Sequence, residues 1–229
     1  MSTVLIVDGS DVCRAPIVEF ALRKQLAGDS VLADTMVASR GLTVEHSRRI
    51  CDLAAGRLGG SARAAAFSDG HLSDQLNALD AQSADLILTA ERTHRSAVGR
   101  LAPHARARTF TLKEALVLAS VLSDEVRTGR SRRPKDLAQT VALLDEVRGS
   151  IPLIEPPMNT NVFHRDRALP KADPLALVDG HEDAALHRHA TDEAYQVALT
   201  LGARLVDLAE DPMARIGHQP NDWWWRAHA

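Results

Sequence analysis

Apolar and polar positions along this chain fall into repeated blocks. Residues 3–7 (TVLIV) form a continuous apolar run, the habit of a strand buried on both faces. A polar turn at 8–12 follows, then CRAPIVEFALRKQL, where Ile17, Val18, Ala21, Leu22 and Leu26 fall on one helical stripe. Pro16 suits the first turn of that helix, where a missing N–H costs nothing. The pattern recurs. Residues 31–39 (VLADTMVAS) read as a second strand ended by Gly41, and 84–90 (ADLILTA) as a third with helix ERTHRSAVGRLA behind it. Residues 108–111 (RTFT) read as a short fourth strand leading into LKEALVLASVL. Between the second and third strands, 43–83 reads as mostly helical, broken at GRLGG (56–60), which lacks the spacing of a dinucleotide loop. Strands alternating with helices predict βαβ crossovers and a doubly wound parallel sheet of the α/β class.

The alternation lapses over 124–172. A basic turn (RTGRSRRPK, 127–135), one helix (136–148) and the Pro-rich IPLIEPP predict an insertion over the surface, ahead of the final helix at 182–209. That last helix is expected to turn Val197, Leu201, Leu205 and Leu208 inward. Residues 1–210 thus read as one domain and 211–229 as a C-terminal tail.

Composition narrows the function classes. Lys and Arg number 27 against 30 Asp and Glu, a formal charge of −3, so no global electrostatic case exists for nucleic acid or an anionic membrane. The 229 residues are 45% hydrophobic and 25% charged, a globular balance, while 3% aromatics leave the core to Leu, Val, Ile and Ala. No run approaches the ~18 apolar residues of a membrane span. The start carries no basic n-region and too short an apolar run for a signal peptide. Cys13 and Cys51 provide neither a disulfide framework nor a CxxC pair, so the chain reads as cytoplasmic with reduced thiols, Cys51 as a small buried hydrophobe.

A strand feeding a tight loop and then a helix N-terminus is an anion site in outline, because loop N–H groups and the helix dipole converge there. Arg14 sits where the helix begins, and its fork can hold a phosphate with two hydrogen bonds. By spacing alone, an ordinary βα turn with a surface arginine is an equal reading.

VLIVDGSDVCRAPIVEFALR resembles the opening of the low-molecular-weight protein tyrosine phosphatases, whose loop reads Cys-x-x-Gly-Asn-x-Cys-Arg-Ser-Pro. The matching residues here are Asp8, Gly9, Ser10, Asp11, Val12, Cys13, Arg14, Ala15 and Pro16. Further landmarks follow in order: Ser39-Arg40-Gly41, Ala84 to Leu88, Phe110 to Glu114, and Asp173-Pro174 at the place of the general-acid loop. The resemblance covers roughly 2–120 and 172–209, and implies a four-stranded parallel sheet flanked by helices, no cofactor and no metal.

The departures from that pattern bear on function. The resemblance implies a nucleophilic cysteine at the first loop position, where this chain has Asp8, with the phosphate-binding Arg14 at the correct +6. Cys13 is no displaced nucleophile, since Glu19 stands six residues on. It matches the family's second cysteine, whose redox partner would be at position 8. A carboxylate at the base of the cradle is expected to accept the loop N–H bonds and pair with Arg14, filling the phosphate volume itself. The leading expectation is therefore a pseudophosphatase that acts by binding a phosphorylated protein or small anion, or by dimerising. An active phosphoester hydrolase using Asp8, Arg14 and Asp173 is the alternative, and an arsenate-reductase relative a remote one. An aspartyl-phosphate mechanism fits poorly, because the second acid is Asp11 at +3 rather than +2. Leu175 after Asp173-Pro174 replaces the aromatic wall that phosphotyrosine would use.

Three other groups draw attention. His181, His187 and His189 do not stack on one helix face and read as solvated. Arg127, Arg130, Arg132, Arg133 and Lys135 lack interleaved aromatics and read as a solvated loop. Trp223, Trp224 and Trp225 suggest a tail that folds back or docks on a protein partner.

Overall fold

The buried strand anticipated at the start is the centre of the sheet. β1 (Thr3–Asp8) pairs in parallel with β2 (Met36–Gly41) on one side and β3 (Leu86–Thr89) on the other, and β4 (Thr109–Thr111) extends the sheet beyond β3. The order is β2-β1-β3-β4, all parallel. The structure, a computed structural model, describes residues 2–149, 173–180 and 183–209. Eight helices are present among them: α1 (Arg14–Leu26), α2 (Asp52–Arg57), α3 (Ala62–Gly70), α4 (Ala78–Ser83), α5 (Arg92–Leu101), α6 (Leu112–Arg127), α7 (Leu137–Arg148) and α8 (Ala184–Ala209).

Alternating residues of the strands feed two cores. Val4, Ile6, Val37, Leu86, Leu88 and Phe110 point to the larger one, which α1, α6, α7 and α8 cover. Leu5, Val7 and Ile87 point the other way, against Val98 of α5, Ala81 of α4 and the 3-10 turn Pro103–Arg108. Burial on both faces explains why these strands read as unbroken apolar runs rather than alternating ones. Gly202 sets the approach of α8 to α1, since a Cβ there would meet Gln25 Cβ at 2.7 Å.

Several expectations need correction. The second strand begins at Met36 rather than at 31, because Asp29 Oδ1 accepts the N–H groups of Val31 and Leu32 and folds that apolar run into a turn. The 43–83 stretch is helical only in α2, α3 and α4. α7 is no surface appendage: Leu137, Val141, Leu144 and Val147 are buried in the larger core. Arg133 is not simply solvated, for its Nη1 donates to the carbonyls of Asp207 and Leu208 at the end of α8, where a cation complements the helix dipole. The IPLIEPP segment, His181 and Trp223 to Trp225 lie outside the described residues. No helix among the described residues is long and apolar enough to cross a membrane.

Candidate functional site

β1 delivers the chain to the carboxyl edge of the sheet, where residues 9–13 turn into α1. Neighbouring backbone fixes the turn: Leu42 N–H donates to Asp8 O, Thr43 N–H to Gly9 O, and Cys51 N–H to Val12 O. Gly41 allows the close fit, since a Cβ there would stand 2.9 Å from the Ser10 carbonyl carbon and 3.1 Å from Asp11 N. Asp11 takes a left-handed backbone (φ 56°), which short polar side chains tolerate.

The Asp8 carboxylate occupies the loop. Its Oδ1 accepts the N–H of Ser10 (3.0 Å) and Asp11 (2.6 Å), and Oδ2 that of Ala15 (3.1 Å). The side chain is buried, as are Asp11, Val12, Cys13 and Ala15, while Gly9 and Ser10 are half-buried. The expected bonds from loop N–H groups to the Asp8 carboxylate are thus present.

The expected Asp8–Arg14 pair is not what forms. Arg14 bonds groups outside the loop: Nη1 bonds Glu91 Oε1 at 2.8 Å and reaches the carbonyls of Leu177 (3.3 Å) and Val178 (3.4 Å). Asp179 Oδ2 lies 3.9 Å from Nη2. The cause is competition, because Glu91 at the start of α5 and the 177–178 carbonyls are satisfied by the same buried guanidinium. Asp173 is likewise engaged, its Oδ2 2.9 Å from Arg92 Nε and its Oδ1 accepting Leu175 N–H. Of the two aspartates Asp173 and Asp179, it is Asp179, six residues further along, whose carboxylate lies within 4 Å of Arg14.

Two histidines that the sequence did not single out border the loop. His94 Nε2 is 4.0 Å from Glu91 Oε1 and would be the nearest atom to a Cβ on Gly9. Burial lowers its pKa, with Arg14 acting in the same direction and Glu91 against. His71 Nε2 is 2.9 Å from the Asp11 carbonyl.

Asp11 itself carries a testable cost. Burial, with Asp8 adding to it, lifts its carboxyl from 3.8 to about 7, against lowering contributions from Ser39, His71 and the Asp74 N–H. Its Oδ1 has no hydrogen-bond partner. The folded state thus holds a proton that the unfolded chain has released, so stability falls as pH rises from about 4 to about 7, by at most ~4 kcal/mol. Asp11→Asn keeps the left-handed backbone and removes the charge. It is expected to stabilise the protein by about 2 kcal/mol at pH 8 and by little at pH 4, as urea melts at the two pH values would show.

Cys51 is not an inert hydrophobe, and Cys13 does have a thiol partner. Cys51 caps α2 with its sulfur accepting Ala54 N–H, and stands 2.8 Å from Cys13 Sγ and 3.6 Å from His187 Nε2. So His187 faces a thiol, whereas His189 is exposed. These three are the one group of His, Cys, Asp or Glu among the described residues whose donor atoms all lie within 4.8 Å of one another. The sulfurs are closer than the roughly 3.8 Å that separates two thiolates on one tetrahedral zinc.

No family model and no curated protein matches the chain. Solved structures do. A YwlE mutant from Bacillus subtilis superposes with a TM-score of 0.55 at 16% identity, covering 90% of this chain and 99% of that one. The tyrosine phosphatase AmsI of Erwinia amylovora gives 0.52 at 18% identity over 90% and 91%. A low-molecular-weight protein tyrosine phosphatase from Bacillus subtilis gives 0.51 at 17% identity over 89% and 96%. The fold is that of the low-molecular-weight protein tyrosine phosphatases. In that fold the loop 8–14 sits at the switch point between β1 and β3, the crevice where open α/β sheets place ligands.

Proposed function

We propose that the protein is a phosphatase-fold pseudoenzyme whose anion loop is closed by its own Asp8, and that it acts by binding rather than by turnover. The observation that carries this reading is the Asp8 carboxylate on the N–H groups of Ser10, Asp11 and Ala15. A hydrolase built on Asp8, Arg14 and Asp173 needs all three free toward a substrate. Asp8 is spent on the loop, Arg14 on Glu91 and Asp173 on Arg92. Thiolate chemistry at this position needs a polarisable nucleophile, which a hydrogen-bonded carboxylate is not.

The test is p-nitrophenyl phosphate turnover by the wild-type chain beside Asp8→Cys and Arg14→Ala. The wild type is expected to be silent, and Asp8→Cys to release nitrophenol. Wild-type turnover that disappears in Arg14→Ala would overturn the reading and make Asp8 the residue to trap as a phosphoenzyme.

A further inference from the structure

We propose that Cys13 and Cys51 form a peroxide-oxidisable dithiol that closes to a disulfide, tying the anion loop to the start of α2. The two residues are 38 positions apart and belong to different elements, yet their sulfurs stand 2.8 Å apart. Both thiols are free. The Cys51 N–H to Val12 carbonyl bond of 3.0 Å already holds the two backbone segments side by side at this point. A hydrophobic contact alone would not explain the rest of the arrangement. Cys51 is half-buried, accepts Ala54 N–H at the N-terminus of α2 and faces His187 from α8, whereas Cys13 is buried against the core.

These surroundings assign the two roles. The hydrogen bond from Cys13, helped by Ala54 N–H and His187, holds the Cys51 thiol down at about 6 despite its burial. The same sulfur–sulfur bond, with burial, pushes Cys13 up and makes it the donor. Cys51 is therefore the attacking thiolate and Cys13 the resolving thiol. In the first step the Cys51 sulfur takes one oxygen from hydrogen peroxide, the O–O bond breaks, and the departing hydroxide picks up a proton to leave as water. Sulfur is oxidised to a sulfenic acid and peroxide is reduced. In the second step the Cys13 sulfur attacks the Cys51 sulfur, the S–O bond breaks, and the leaving hydroxide takes the Cys13 proton as water. The sum is two thiols and one peroxide giving one disulfide and two waters.

The sulfur spacing argues against a shared zinc, and the buried position of Cys13 against a bridge between two chains. The proposal does not depend on whether the loop turns over phosphate.

The full chain, fully reduced, would be treated with hydrogen peroxide, quenched, and alkylated in denaturant with N-ethylmaleimide. The expected result is an intact mass that has lost the two thiol hydrogens and gained no adduct, a linked Cys13–Cys51 peptide, and recovery of both thiols with dithiothreitol. Cys13→Ser is expected to hold a dimedone-reactive sulfenic acid at Cys51, and Cys51→Ser to leave Cys13 unoxidised in the native state. Two alkylatable thiols in the oxidised wild type would overturn the proposal, as would a disulfide found only between chains. So would a zinc ion retained in native mass spectrometry that blocks both thiols from peroxide.

Discussion

Asp8→Ala is expected to cost about 3 kcal/mol of stability in phosphate-free buffer and to regain most of it as phosphate is added. Three N–H donors lose their acceptor at once, those of Ser10, Asp11 and Ala15. Hydrogen bonds to a charged group are worth roughly 1.5–3 kcal/mol each, but they are not additive, and removing a buried carboxylate also relieves its own desolvation. About 3 kcal/mol is the balance. The emptied loop then offers the same donors at the start of α1 to an external anion, with the helix dipole behind them. An anion at a hundred times its dissociation constant restores ~2.7 kcal/mol. Thermal melts of the variant against phosphate concentration would show a rising midpoint, and the wild type, whose loop is filled, a flat one. A wild-type midpoint that climbs equally would mean that Asp8 swings out to admit phosphate.

Arg14→Ala should also destabilise by about 3 kcal/mol, the lower end of what a broken buried ion pair costs. The lower end applies because Arg14 is 8% exposed but its partner Glu91 is 26% exposed. The loss goes beyond charge. This one guanidinium joins α1 to Glu91 ahead of α5 and to the carbonyls of 177 and 178, so three separate segments lose a common tie. His94 supplies a second readout. Arg14 helps hold its pKa down and Glu91 pulls the other way, so the variant should titrate His94 at higher pH. Urea melts and a proton NMR titration of His94 check the two halves; unchanged values in both would show that Glu91 is held by other groups.

The framework of this fold was legible because parallel strands buried on both faces leave unbroken apolar runs, as in TVLIV and ADLILTA. The misread second strand shows the limit of that signal. Val31 and Leu32 look like strand residues, and only the Asp29 side chain, reaching two and three residues ahead, makes them a turn. In the loop, Asp8 was legible because its partners lie within seven residues. The partners of Arg14 lie 77 to 165 residues away, and nothing in local spacing encodes them. The Cys13–Cys51 approach was hidden likewise: neither spacing nor composition says that a residue opening α2 returns to the end of the loop.

The packing of α8 on α1 has a consequence for how the chain acquires its structure. α1 is covered by α8, so the face of α1 that meets α8 stays open to solvent while the roughly 150 residues between the two helices emerge. The parallel sheet can begin to assemble as β3 and β4 arrive, but the layer that seals its larger core is missing until α8 emerges. Folding is therefore expected to be non-local and slow, with a late, all-or-none closure, and the unsealed intermediate is the species most exposed to misassociation in the cell.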